Sequence, residues 1–183
     1  DDDCDGEAWG CTPLGDVRLG EADASVLGRS AGDAAGYALA IVGDMDGDGY
    51  DDVAIGAYGS DLAGYNAGVC TLIAGPSGGA PDLGTATATL LGEAVGDAAG
   101  VSVAAAFDVD GDGLDDLLVG APANDTNGGS AGATYLLLGP VSGEVSLSAA
   151  DARLLGEDSG DIAGTWQSGV GDVDGDGFDD ILV

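Results

Sequence analysis

Laid against itself at an offset of 64 residues, the chain repeats without needing an insertion. Leu27, Leu91 and Leu155 superpose, as do Gly28, Gly92 and Gly156. Gly32-Asp33, Gly96-Asp97 and Gly160-Asp161 follow, then Ala35-Gly36, Ala99-Gly100 and Ala163-Gly164. Acidic loops begin at Asp44, Asp108 and Asp172, and Gly75-Pro76 matches Gly139-Pro140. A fixed period of this size means one supersecondary unit built several times, each burying a face against the next. Residues 1–11 stand outside the period as an acidic, Cys-containing N-terminal segment. Residues 12–75 and 76–139 are two full units, and 140–183 is a third that stops inside a predicted strand.

Each unit reads as β. Segments 37–42, 53–57, 69–74 and 86–91 are short, apolar or alternating, and bounded by Gly, Asp, Asn or Pro. No segment sustains a 3.6-residue period over helical length. Four short strands per unit predict an all-β fold of β-propeller-type blades, each a four-stranded antiparallel sheet. Three units, the third incomplete, fall short of the roughly four blades a closed propeller needs.

The acidic loops carry the chemistry. In Asp44-Met45-Asp46-Gly47-Asp48-Gly49-Tyr50-Asp51-Asp52, carboxylates stand at positions 1, 3, 5, 8 and 9, and glycines at 4 and 6. Alternate acids in a tight loop turn several oxygens toward one centre. The glycines permit positive φ, the carbonyl at position 7 adds an oxygen, and the acid at position 9 can close the site. Calcium, a hard cation, takes about six to eight oxygens in flexible geometry. An EF-hand is excluded, because its loop lies between helices and closes with Glu at position 12, where this chain has Ile55. Zinc is disfavoured with no Cys or His nearby. Magnesium stays possible, though it prefers to keep its waters.

Charge points the same way. The chain has 34 acidic residues against three arginines, no lysine and no histidine, for a formal net charge of −31. Clustered carboxylates repel unless a cation neutralises them. Nucleic acid is excluded as a partner, since a phosphate backbone needs clustered Lys/Arg, and anionic membrane surfaces are disfavoured. Disorder is not implied, because 45% of the residues are hydrophobic and recur in short blocks. No stretch approaches the ~20 apolar residues of a membrane span. The chain begins at Asp1 without methionine, which reads as processing or a fragment. Cys4 and Cys11 flank a short polar segment that a disulfide could close, which would suit an oxidising compartment. Cys70, in an apolar strand, reads as a buried thiol.

The stretch from Gly32-Asp33 through the acidic loop, Asp52-Val53-Ala54-Ile55-Gly56-Ala57 and a strand ending at Gly75-Pro76 resembles the FG-GAP repeat. That repeat builds the β-propeller head of integrin alpha chains and occurs in many bacterial surface proteins. It recurs here with Gly120-Ala121-Pro122, and the resemblance covers nearly everything from residue 12 onward. It implies a blade with the calcium loop in the hairpin between its first two strands. The implied ligands are Asp44, Asp46, Asp48, Asp52 and the Tyr50 carbonyl in the first loop. In the second they are Asp108, Asp110, Asp112, Asp116 and the Leu114 carbonyl. In the third they are Asp172, Asp174, Asp176, Asp180 and the Phe178 carbonyl. Asp51, Asp115 and Asp179 are expected to be outer-shell or solvent-facing. There are departures: the family's Phe-Gly is Ala-Gly in every unit, and its Gly-Ala-Pro is Gly56-Ala57-Tyr58 in the first. Closer backbone-to-backbone packing of the blades is expected in consequence. No segment matches an integrin ligand-binding loop.

Lesser motifs complete the reading. Asp1-Asp2-Asp3-Cys4-Asp5-Gly6 is an acidic turn whose ninth position is Trp9, so the calcium pattern is incomplete there. Asn124-Asp125-Thr126 is an N-glycosylation sequon in a predicted loop. Thr85, Thr87 and Thr89 alternate along a strand, exposed by default and open to O-glycans. Trp9 and Trp166 read as packing residues. Without histidine or lysine, no serine or cysteine has a base other than a carboxylate, and catalysis is not expected.

The functional expectation is a calcium-binding, non-catalytic, extracellular or cell-surface adhesion scaffold with a protein or glycan ligand. The alternative is a structural subunit of a filament or surface layer, in which copies associate head-to-tail. Three arrangements satisfy the incomplete third unit: a fragment of a longer ring, complementation between copies, or an open calcium-stiffened array.

Overall fold

The computed structural model describes residues 26–75 and 86–183. Three antiparallel hairpins set the frame: β1 (Ala38–Gly43) with β2 (Asp52–Ala57), β5 (Ser102–Phe107) with β6 (Asp116–Ala121), and β10 (Ser168–Gly171) with β11 (Asp180–Leu182). β3 (Val69–Ile73) and β4 (Ala88–Leu91) extend the first hairpin. β7 (Ala133–Leu137) and β9 (Ala152–Leu155) extend the second. The result is two blades and a two-stranded start of a third, every acidic loop lying in the hairpin between a blade's first two strands. Helix among the described residues is confined to one short 3-10 turn, Leu147–Ala149.

The sheets and the sequence units are out of step. β4 lies past residue 75 yet completes the first sheet, and β9 lies past residue 139 yet completes the second. A period fixes spacing but not phase. Ala88 and Leu90 bury into the same core as Cys70 and Leu72 of β3, so β4 stays with the blade it closes. One strand was not expected: β8 (Gly143–Ser146) leaves the second blade and pairs in parallel with β4, as a fifth strand of the first sheet. It covers an edge that would otherwise present unpaired amides.

One core runs between the blades. Val42, Met45, Leu72 and Leu90 of the first meet Leu117, Val119, Tyr135 and Leu137 of the second, with Leu147 sealing the outer end. β6 is buried at every position, because the second blade is covered on both faces, and its Leu-Leu-Val run is apolar rather than alternating. Cys70 is a buried free thiol, and burial pushes it up to about 12.

The blades meet backbone to backbone. A Cβ at Gly56 would lie 2.1 Å from the Gly100 carbonyl oxygen, and one at Gly120 would lie 2.0 Å from that of Gly164. Ala99, where the family has Phe, is fully buried, and its N–H donates to the Ala67 carbonyl at 3.0 Å. In the first blade, Tyr58 replaces the family's proline and packs edge-on against Tyr37, ring centroids 4.7 Å apart.

Candidate metal centres

The three loops share one scaffold of amides donating into carboxylates. Asp44 Oδ1 accepts from the N–H groups of Gly47 and Asp48 at 2.7 and 3.0 Å, and its Oδ2 from that of Gly49 at 2.9 Å. Asp46 Oδ1 accepts from Asp48 at 3.1 Å, and Asp48 Oδ1 from Tyr50 at 2.9 Å. Asp108, Asp110 and Asp112 reproduce these bonds in the second loop. Asp172, Asp174 and Asp176 reproduce them in the third. The glycines at positions 4 and 6 have φ between 78° and 96° in all three loops, the region an L side chain rarely adopts.

Position 9 ties the loop to its sheet. Asp52 Oδ2 accepts from Met45 N–H at 3.1 Å and its Oδ1 from Gly75 N–H at 2.9 Å. Asp116 does the same with Val109 and Gly139, both at 2.9 Å. Asp180 accepts from Val173 at 2.9 Å. Burial raises the carboxyls of Asp52 and Asp116 above their ordinary value. The amides they accept from oppose this, while Asp46 and Asp48, or Asp110 and Asp108, add repulsion.

In each loop, three carboxylates offer oxygens within 4.8 Å of one another: Asp44, Asp46 and Asp48; Asp108, Asp110 and Asp116; and Asp172, Asp174 and Asp180. Asp52, Asp112 and Asp176 complete the loops outside these triplets. An all-oxygen, multiply charged donor set on a flexible loop fits a hard cation of the calcium type. Tyr50 and Phe178 are exposed and Leu114 is half-buried, and the carbonyls of all three remain implied ligands.

Position 8, expected in the outer shell or facing solvent, bonds in the second and third blades to the backbone of the preceding loop's first acid. Asp115 Oδ2 accepts from the N–H of Asp44, in the preceding blade, at 2.9 Å. Asp179 Oδ2 accepts in the same way from Asp108 at 3.3 Å. Asp51 is exposed.

Two modification sites are corrected. Asn124 is 2% exposed, and its Nδ2 donates to Asp97 Oδ2 at 2.8 Å and to the Tyr135 hydroxyl at 3.3 Å. The nitrogen that would carry a glycan is thus buried and engaged. Thr89 is buried and receives a bond from Arg29, and Thr87 Oγ1 accepts from Ala74 N–H, so neither is a free exposed threonine. Thr85, Cys4, Cys11, Trp9 and the Asp1–Gly6 turn lie outside the described residues. Trp166 is 83% exposed.

The FG-GAP repeat family model matches residues 35–69 and 99–137, which covers the first two loops. Integrin alpha-PS2 of Drosophila melanogaster is 34% identical over 154 residues, 81% of this chain and 10% of that protein. Integrin alpha pat-2 of Caenorhabditis briggsae is 39% identical over 89 residues, 47% of this chain and 7% of that protein. The chain spans a tenth or less of the length of these relatives. All-β blades with an acidic loop in the first hairpin, two of them matched by that model, show that this chain carries FG-GAP repeats over residues 35–69 and 99–137.

Proposed function

We propose that the chain is a calcium-stiffened, non-catalytic scaffold that acts outside the cell in adhesion or protein interaction. The observation that carries the calcium reading is the threefold repetition of one donor array. In every loop the amides steady the carboxylates, and three of them still converge. The ligands would be Asp44, Asp46, Asp48, Asp52 and the Tyr50 carbonyl, with their counterparts 64 and 128 residues on. The cation would supply charge neutralisation and crosslinking of the hairpin, not chemistry. Likeness to integrin alpha chains supports an extracellular setting and a protein ligand. Among the described residues, no helix is long and apolar enough to cross a membrane.

Removing the cation is the test. Extracellular sites of this kind bind at roughly 10⁻⁴–10⁻³ M, and a hundredfold excess over Kd is worth about 2.7 kcal/mol per site. Excess EDTA should therefore lower the melting temperature sharply, and added calcium should restore it. An unchanged melting temperature in EDTA would sink the reading.

Association of copies is the second reading, and it would account for one exposed apolar face. Ala40 and Val42 of β1 pack into the core, whereas Leu39 and Ile41 are 63% and 68% exposed. Their counterparts in β5, Val103 and Ala105, are half-buried. A further blade, from the same chain or another copy, would cover Leu39 and Ile41, and the particle mass in solution distinguishes the two.

A further inference from the structure

Residue 1 of one loop and residue 8 of the next hold each other in both directions. Asp44 N–H donates to Asp115 Oδ2 at 2.9 Å, and Asp115 N–H donates back to the Asp44 carbonyl at 3.2 Å. Gly43 has no side chain where that carboxylate lies, since a Cβ there would sit 2.1 Å from Asp115 Oδ2. The side chain at position 7 joins in. A Cβ at Gly47, position 4 of the first loop, would lie 3.3 Å from Leu114 Cδ2, and one at Gly111 would lie 2.9 Å from Phe178 Cε1. The second junction repeats the reciprocal pair more loosely, at 3.3 and 3.4 Å between Asp108 and Asp179. There Phe107 replaces the glycine, with φ at 61°.

We propose that Asp115 and Asp179 are positioning residues that couple cation binding in one loop to docking of the blade that follows. The inference rests on the calcium reading above. Asp44 is a ligand whose backbone is fixed from the next blade, so a well-docked second blade presents Asp44 ready-made. Conversely, Asp115 brings one more negative charge against a loop already holding five carboxylates. That approach is costly without a cation and favourable with one. Linkage makes the effect reciprocal: whatever the cation does for the junction, the junction does for cation affinity. The loops then fill cooperatively along the chain, most strongly across the shorter first junction.

Terbium, a luminescent calcium substitute, tests this in the full chain. Tyr50 stands at position 7 of the first loop, where the other two have Leu114 and Phe178. The tyrosine-excited emission lost in Tyr50→Phe therefore reports the first loop alone. Asp115→Ala should weaken the first loop's affinity about tenfold, the low end for loss of a group orienting a ligand. Asp115→Asn keeps an oxygen to accept from Asp44 N–H and should lose less than about threefold. Asp179→Ala, one junction further on, should change the first loop less than Asp115→Ala does. Equal losses in the Ala and Asn variants of Asp115 would mean that it acts through its charge and does not position Asp44, and unchanged affinity in Asp115→Ala would mean no coupling. An equal loss in Asp179→Ala would mean general destabilisation. Any of these three overturns the inference. Absence of Tyr50-dependent emission in the unaltered chain overturns the calcium reading and this inference with it.

Discussion

Five polar positions of the first blade are Arg29, Asp33, Ser60, Thr71 and Thr89. In the second blade the same positions hold Glu93, Asp97, Asn124, Tyr135 and Arg153. In the first, Arg29 Nη2 donates to Thr89 Oγ1 at 2.9 Å. In the second, the arginine has moved to the other member of that pair, and Arg153 Nη1 donates to Glu93 Oε1 at 2.8 Å. Tyr135 donates to Glu93 Oε2 at 2.8 Å, and Asn124 links Tyr135 to Asp97. The backbone does not register the change. Gly68 N–H donates to the Ser60 carbonyl at 3.0 Å, and Gly132 to that of Asn124 at 2.9 Å. Ser60 and Asn124 N–H groups reach back to Ala57 and Ala121, both at 3.1 Å. The blade is specified by its glycines, loop acids and apolar strand positions. The polar cluster is solved separately in each copy.

If that division holds, the largest mutational losses should come from shared glycines and should strike both blades. Gly56→Ala drives a methyl into the Gly100 carbonyl, and Gly120→Ala drives one into that of Gly164. Overpacking of this kind costs about 1–3 kcal/mol, or more where only backbone can yield. Gly120→Ala should cost the more of the two. Its Cβ also meets Ser102 Oγ at 2.2 Å, and that hydroxyl donates to the Gly164 carbonyl at 2.6 Å. Urea unfolding in saturating calcium measures both, and a neutral result for either would break the comparison.

The cluster predicts the opposite pattern, a loss confined to one blade. Asn124→Ala removes the donor to Asp97 Oδ2 and leaves a buried carboxylate short of a partner. That should cost about 1–3 kcal/mol. Ser60→Ala, the same change in the first blade, removes a hydroxyl that accepts from Leu62 N–H at 3.4 Å and should cost under about 1 kcal/mol. Equal losses would mean that the two clusters carry the same weight despite their different residues.

What was legible in the sequence follows the same line. The strands and the loop scaffold could be read because their signals are local: alternation over a few residues, acids at fixed spacing, glycine where φ turns positive. The role of Asp115 could not, because its partner Asp44 lies 71 residues away and nothing near Asp115 names it. β8 was missed for a similar reason. Gly-Glu-Val-Ser has no strong strand signature, and what orders it is a parallel edge more than fifty residues earlier. The sequon at Asn124 misled because a tripeptide says nothing about burial, and here the asparagine serves Asp97 and Tyr135.

The smallest effect is a pH slope that belongs to the second blade's buried carboxyl, Asp97. Burial raises the Asp97 carboxyl above its ordinary value. The bond from Asn124 opposes this, and Glu93 and Asp125 reinforce it. An acid raised on folding binds its proton in the folded chain at pH values where the unfolded chain, near 3.9, has lost it. Its contribution to stability is therefore complete below about pH 4 and is lost as pH rises through the folded value. Asparagine cannot ionise, so the Asp97→Asn variant should gain on the unaltered chain as pH is raised from 4 to 7. The gain should grow across that range, whatever the offset between them at pH 4. Chemical unfolding at fixed saturating calcium, taken as variant minus parent at each pH, removes the titration of the loops from the comparison. A flat difference for Asp97→Asn, or one that runs the other way, would mean that the buried network tolerates its charge as well as water does.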